Sequence, residues 1–464
     1  MHAGRLTLTE RFERALGAIL ARVRFGGSPM RIALAYSGGL DSSVLLHLLA
    51  HRFAGGAAQL HAFHIHHGLS PHADAWQAHC AREAARHGVV FDTMPVAVRN
   101  DGGRGIEAAA RDARYAALGE LCRRYGIALL LTAHHQDDQA ETVLIQLLRG
   151  TAIAGLRGMD DAGTAPDLLG DDSTVIGRPL LDCARHALAA HAERQGIRFI
   201  VDESNADMRY ARNAVRGEIF PAIERHFPGS TERIVRTARH ARATQELLDA
   251  LADQDLAGAM EDGMLRIATF AGLDPARIDN LLRRWLQRNG LDLPSSAWLG
   301  ELRHQVLAAR DDAQVCVSHP GGELRRYRGL LALVAHTSQA GRPENREVRL
   351  AWRGESVLDV PAFGGRLHFD AAEEGIGAER LRQATIVVRT RRGGDKVKLA
   401  PNRPARSLKQ HYQAFGIPAW ERARLPLIDV DGMTACAAGI GMDCRAVDSV
   451  PGPKIRLRWE SKHS

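Results

Sequence analysis

Four groups of residues carry types and spacings suited to chemistry. The first is Ser37-Gly38-Gly39-Leu40-Asp41-Ser42, a turn between the apolar run 31–36 and a helix-forming stretch from Ser42 to Ala50. Adjacent glycines let the chain turn sharply and let an anion approach the backbone. The helix that follows aims unpaired N–H groups and a positive dipole end at the same point. Ser37 and Ser42 add hydroxyl donors, and Asp41, a carboxylate beside an anion site, suits Mg²⁺. No Gly-Lys-Ser/Thr follows, so this is not a Walker A loop, nor is it G-x-G-x-x-G. The second group is Asp137 and Glu141, four apart and therefore on one helix face, where they can hold a cation or take a proton; acids in a first helical turn also simply complement its dipole. The third is two arginine pairs, Arg111/Arg114 and Arg212/Arg216, each able to neutralise a phosphate or an RNA backbone. The fourth is a basic run, Arg389, Arg391, Arg392, Lys396, Lys398, Arg403, Arg406 and Lys409, in which Asp395 is the only acid. Such a run suits a polyanion, although a solvated charged face is the usual fate of charge runs. His64, His66, His67, His134 and His135 suggest a metal, but neighbours on a strand point to opposite faces. Nucleotide packing or hydrogen bonding is the expectation for one or two of them, and zinc is not.

These groups need elements to hold them. Apolar strand-like runs at 31–36, 59–66, 91–98 and 127–132 alternate with helical stretches at 42–50, after Ser70-Pro71, at 105–124 and from about 137 to 148. That rhythm predicts a parallel sheet covered by helices on both faces. Asp137 and Glu141 then stand just beyond a strand's C-terminal end, where open α/β sheets bind ligands. Residues 151–173, rich in Gly, Asp and Ala, read as a long mobile loop. Asp182 suits a helix N-cap, 197–201 reads as a further strand, and 210–226 as a helix ended by Pro228-Gly229. Helical periodicity recurs at 231–256 and 275–289. Short β-like runs such as 329–335 follow Cys316, and a last helix at about 405–415 stops at Gly416.

With 464 residues, several cores are needed. The expected fold class is α/β, with an N-terminal doubly wound parallel sheet, then a mostly helical middle domain and a small α+β C-terminal domain. The boundaries expected are 1–228, 229–383 and 384–464. Net charge +7 favours a polyanionic partner. Six dispersed cysteines without a C-x-x-C pair disfavour zinc-ribbon, thioredoxin-like and cysteine-ligated cluster sites and fit reduced thiols in a cytoplasmic protein. No signal peptide or membrane-length apolar run is expected.

The SGGLDS turn resembles that of the PP-loop pyrophosphatases, whose fold is adenine nucleotide α-hydrolase-like and which split ATP between its α and β phosphates. Three more segments narrow the resemblance: His64-Ile65-His66-His67-Gly68-Leu69-Ser70, the stretch from Gly105-Ile106-Glu107 to Arg114-Tyr115, and Thr132-Ala133-His134-His135-Gln136-Asp137-Asp138-Gln139-Ala140-Glu141-Thr142 running on to Leu148-Arg149-Gly150. With Asp202-Glu203-Ser204-Asn205, Arg212-Asn213-Ala214-Val215-Arg216, Arg392-Gly393-Gly394-Asp395 and Ile417-Pro418-Ala419-Trp420, the chain resembles the tRNA(Ile)-lysidine synthase family over nearly its whole length, most weakly over 230–383. That family usually has Arg where Ser70 stands and Gly near Ala152.

The resemblance implies a ligase that joins L-lysine to C2 of the wobble cytidine (position 34) of tRNA(Ile) with a CAU anticodon. ATP first adenylates the C2 oxygen, releasing pyrophosphate, and lysine then displaces AMP. It implies ATP binding at Ser37, Gly38, Gly39, Leu40, Asp41 and Ser42, Mg²⁺ at Asp41, lysine at Asp137 and Glu141, and Arg114 beside them in catalysis. Arg212, Arg216 and the basic run from Arg389 to Lys409 would meet tRNA. The rivals are another PP-loop tRNA-modifying enzyme such as a thiolase, an amidotransferase-type synthetase, and a non-catalytic RNA-binding protein. The sequence leaves open monomer or homodimer, the discrimination between similar tRNAs, and the group that deprotonates lysine.

Overall fold

Parallel strands buried on both faces read as unbroken apolar runs, and the first sheet is built from such runs. Ile32, Ala33 and Leu34, like Leu129, Leu130 and Leu131, are fully buried. The computed structural model describes residues 6–27, 29–68, 70–97, 106–201, 211–291, 295–309, 315–335 and 346–461. The motif Asp202-Glu203-Ser204-Asn205 and Gly105 lie outside them. Two compact units form, Met1–Leu251 and Ala252–Ser464.

In the first unit the elements run α1 (Leu8–Leu20), β1 (Met30–Ala35), α2 (Leu40–Arg52), β2 (Ala58–His66), α3 (Ala73–Arg86), β3 (Val90–Pro95), α4 (Ile106–Tyr125), β4 (Leu129–Leu131) and α5 (Gln136–Leu148). They continue with α6 (Ile153–Leu156), β5 (Ala162–Thr164), α7 (Pro166–Leu169), β6 (Val175–Gly177), α8 (Arg185–Gln195), α9 (Ala211–Ala214), α10 (Phe220–His226) and the start of α11 (Ser230–Ala259). The sheet order is β3-β2-β1-β4-β6-β5. Its pairings are parallel except for the edge strand β5. Sequence order reverses direction between β1 and β4, which places a ligand crevice at their carboxyl ends. Phe12, Leu16, Leu45, Leu49 and Leu188 cover one face of the sheet. Tyr115, Leu118, Leu121 and Leu169 cover the other.

Four readings of the sequence differ from the structure. Residues 151–173 hold α6, β5 and α7 rather than one loop. Gln139 pins the segment with a two-way amide pair, donating 2.9 Å to the Met159 carbonyl and accepting from its N–H at 2.7 Å. Residues 197–201 form only one bridge, Gly39 to Ile200, because the turn itself supplies the partner. Ser70 does not cap a helix: its hydroxyl accepts from the His72 N–H at 3.1 Å, and α3 starts at Ala73. The helix read at 210–226 is broken by a π turn at Val215–Ile219.

In the second unit α12 (Pro275–Arg288), capped by Asp274, and α13 (Ser296–Ala308) pack Leu281, Trp285, Leu299 and Leu302 together. These helices share that core with a five-stranded antiparallel sheet whose interior strands include Gly322–Tyr327 and Leu330–Ala335. The C-terminal part is β-rich, with a five-stranded and a four-stranded sheet around Trp352, Leu367, Val388 and Ile428. No helix among the described residues is long and apolar enough to cross a membrane.

A histidine cluster lies between α2, α3 and α8. The His47 ring is 4.4 Å from His51, 5.5 Å from His191 and 5.8 Å from His87. Burial, then the imidazoles of His51, His191 and His87, push His47 down to about 4. Folding therefore disfavours its proton. Stability is intact above the unfolded value of about 6.5 and falls as pH drops from there toward 4. A lower urea midpoint at pH 5 than at pH 7.5 is expected, with a smaller loss in H47Q; an identical loss in H47Q would show that His47 does not contribute.

Candidate active site

The turn from β1 into α2 works only with glycine at its second position. Gly38 has φ +82°, and a Cβ there would lie 2.7 Å from both Cys80 Sγ and Ile200 Cδ1. Gly39 is the N-cap of α2, and no side chain caps the helix, so its first N–H groups face the crevice. Ser37 and Ser42 hold the turn through their hydroxyls, 3.0 Å apart, and the Ser42 hydroxyl donates 3.1 Å to the Gly39 carbonyl. A second layer supports it. The Ser43 hydroxyl donates 3.2 Å to the Gly38 carbonyl, and the Ile200 N–H donates to the same oxygen at 2.8 Å. A glycine turn that leads into an uncapped helix start suits an anion such as phosphate.

One strand away, α5 begins with a reciprocal cap. The His135 N–H donates to Asp138 Oδ2 at 3.0 Å, and His135 Nδ1 accepts from the Asp138 N–H at 3.4 Å. This box joins the two halves of the crevice, since His135 Nε2 lies 3.6 Å from Asp41 Oδ2 and 3.4 Å from Asp138 Oδ2. Burial opposes charge on His135, but Asp41, Asp138 and Asp137 outweigh it and raise its pKa. Among the described residues, Asp41 Oδ1 is buried without a hydrogen-bond partner, as is His135 Nε2. A carboxylate oxygen left unpartnered in this way fits a divalent cation.

Asp137 and Glu141 share one face, and both line a cavity of about 250 Å³ with Arg185, Arg216, Phe220 and Glu224. Asp137 Oδ2 accepts from the Arg185 N–H at 2.9 Å, serving the start of α8. Glu141 is nearly fully buried. It accepts from Arg212 Nε at 3.0 Å and Arg216 Nε at 2.7 Å, while the same two guanidinium groups donate to Asp138 Oδ1 at 3.3 and 2.8 Å. Burial works against the Arg216 charge, but Glu141 and Asp138 overcome it and raise its pKa. Arg212 and Arg216, expected to meet RNA, therefore neutralise α5 in this structure. Arg114 lies on α4 with its guanidinium 5.6 Å from the Tyr115 ring centre, and burial lowers its pKa, with Arg111 and Arg212 adding to the effect.

In the second unit the basic run divides. Arg391, Arg392, Lys396, Arg403, Arg406 and Lys409 are exposed and Lys398 is half-buried. The two-stranded pairing of Lys396–Val397 with Arg406–Ser407 gathers several of them. Arg389 departs from the expectation: it is 7% exposed and its guanidinium is held by Asp429 at 2.5 Å and Asp395 at 3.0 Å. It braces the strands beneath this surface.

The chain matches the PP-loop domain family over residues 8–223, the TilS substrate binding domain over 265–332 and the TilS substrate C-terminal domain over 386–459. It is 43% identical over 450 residues to the tRNA(Ile)-lysidine synthase of Ralstonia nicotianae, covering 95% of each chain. The chain belongs to the tRNA(Ile)-lysidine synthase family. Its relatives of that name include those of Burkholderia mallei (42% identity, 92% of this chain and 93% of the other) and Alkalilimnicola ehrlichii (40%, 88% and 89%). Among solved structures it is similar to a U34-tRNA thiolase from Methanococcus maripaludis, with TM-score 0.40, 16% identity, and coverage of 50% of this chain and 79% of that one. Membership makes the chain an ATP-using synthase.

Within this member of the tRNA(Ile)-lysidine synthase family, the sequence singled out His135 only for nucleotide packing or hydrogen bonding, and did not single out Asp138, Arg185 or Glu224. His135 and Asp138 carried a legible signal, the three-residue spacing of a capping box. Arg185 and Glu224 reach the cavity through tertiary folding alone. Alanine at Gly38 would meet Cys80 and Ile200 in a strained conformation, at a cost of about 1–3 kcal/mol. G38A should lower the urea midpoint and abolish ATP-dependent activity; wild-type activity in G38A would show that the turn's shape is unimportant.

Proposed function

We propose that this chain joins L-lysine to C2 of the wobble cytidine (position 34) of tRNA(Ile) with a CAU anticodon, using ATP and Mg²⁺. The observation that carries the reading is the carboxylate-lined cavity at Asp137 and Glu141, beside the phosphate-binding turn and joined to it by His135. In the first step the C2 oxygen attacks the α-phosphorus of ATP and pyrophosphate leaves. In the second the lysine amine forms a bond to C2, the C2–O bond breaks, AMP departs with that oxygen, and the amine gives up a proton. A C2 oxygen is a poor leaving group until adenylated, and an ammonium of pKa about 10.4 must be deprotonated to attack.

The roles follow from position. The turn Ser37–Ser42 holds the pyrophosphate portion, and Asp41 would hold Mg²⁺, which would offset phosphate charge. Asp137 and Glu141 orient lysine by its ammonium groups, and an ammonium arriving at Glu141 competes with Arg212 and Arg216. Arg114 offsets phosphate charge. Residues 1–228 carry the chemistry, and 229–383 and 384–464 meet the tRNA. Arg391, Arg392, Lys396, Lys398, Arg403, Arg406 and Lys409 contact its backbone, and a cytoplasmic setting supplies both tRNA and ATP. A thiolase is the weaker reading. Cys80, beside the turn, is buried and its thiol is pushed up to about 12, and burial likewise pushes Cys122 up to about 12 and Cys183 to about 11; a thiolate nucleophile needs the opposite shift.

Incubation with labelled lysine, ATP, Mg²⁺ and tRNA(Ile) bearing CAU should place label in the RNA; no ATP-dependent label rejects the proposal. D137A should bind ATP normally yet lose lysine transfer by at least 100-fold, and full transfer by D137A would remove Asp137 from its role. R391E/R392E should weaken tRNA binding and flatten its salt dependence, whereas binding unchanged from wild type would place the RNA elsewhere.

A further inference from the structure

A second basic centre lies in the first unit, off the phosphate-binding turn. Arg178 immediately follows β6, and its Nη1 donates 2.7 Å to the Asp160 carbonyl. Arg242 of α11 reaches the same segment, its Nη2 donating 2.6 Å to the Met159 carbonyl and lying 3.3 Å from Asp160 Oδ1. The Nε atoms of both arginines are buried and have no hydrogen-bond partner among the described residues. On α4, Arg111 and Arg114 lie 4.9 and 5.6 Å from the ring centre of buried Tyr115.

Among the described ion pairs, three arginines share two carboxylates here. Asp160 also pairs with Arg157 at 3.5 Å, and Asp161, 3.9 Å from Arg242, pairs with Arg22 at 3.1 Å. Burial is the main cause that lowers the pKa of Arg178, with Tyr115 and Asp160 opposing it and Arg111 and Arg242 adding to it. Burial also holds His134 neutral, against the pull of Asp138 and with the help of Arg178, Arg212 and Arg111. Guanidinium groups crowded in this way, with two buried N–H donors unmet, are stabilised by an arriving anion.

Position selects the anion. The strand order β1-β4-β6 puts Arg178 two strands from the turn, about 10 Å at ordinary strand spacing. That is outside a triphosphate seated on α2 but within reach of the nucleotide next to a base held in the crevice. We propose that Arg178 and Arg242, with Arg111 at the flank, bind a backbone phosphodiester of the RNA substrate beside the reacting base. This rests on the tRNA reading above.

The test measures tRNA affinity across a salt series, with KM for ATP and for lysine, in wild type, R178Q, R178K and R242Q. Expected is tRNA binding weakened about tenfold in R178Q and R242Q, a salt slope shallower by about one, an intermediate R178K, and unchanged KM for ATP and lysine. Should R178Q lose its cooperative thermal transition, R178K and R242Q decide alone. Wild-type tRNA affinity and slope in the folded variants would overturn the proposal. So would a raised KM for ATP alone, which assigns the centre to the triphosphate, or for lysine alone, which assigns it to the amino acid's carboxylate. Failure of wild type to label tRNA sinks the functional reading instead, and is distinguishable because it does not depend on these variants.

Discussion

Two carboxylates buried on the first turns of α5 constrain everything around them. Asp138 and Glu141 are 8% and 2% exposed and stand beside a turn built to receive phosphates. Buried anions need cations with good geometry, or they protonate or unfold the site. His135 supplies one partner locally. Arg212 and Arg216 supply the rest from more than seventy residues later, so the segment carrying them must fold back across the crevice. The π turn at Val215–Ile219 lies in that segment, and such turns occur mostly at functional sites. Fold and site are thus one electrostatic problem.

What the sequence made legible is what local physics decides. The Ser37–Ser42 turn needs only a strand, two glycines and a helix. Asp137 and Glu141 need only a helical period. Strands β1 to β4 carry their own apolar signature. The rest depends on partners distant in sequence. Residues 151–173 look like a loop because their Gly and Asp content is high, yet Gln139 hydrogen bonds and the edge pairing of β5 with β6 order them. Ile200 looks like part of a strand, but the Gly38 carbonyl takes its N–H and no longer pairing follows.

The same distinction governs charge. A run of basic residues announces a polyanion but not which members reach it. Arg389 sits in the run by sequence and in the core by structure, because Asp429 arrives across an adjacent antiparallel strand. Its neighbours Arg391 and Arg392, beyond the strand's end, stay exposed. A charge pattern therefore identifies a surface only after the strand register is known.

The charge balance at Glu141 also bears on the choice of amino acid. On the proposed reading, the incoming ammonium replaces a guanidinium on a carboxylate that is buried either way. Exchange of one cation for another leaves the count of buried charge unchanged, and the freed guanidinium turns outward in the direction from which an RNA must come. A neutral side chain of similar length offers no such exchange. It would displace one of the two arginines on Glu141 and return no charge, so a buried carboxylate loses a cationic partner. Selection of a cationic substrate then rests on charge, in a cavity whose lining includes the apolar side chains Phe220 and Pro221.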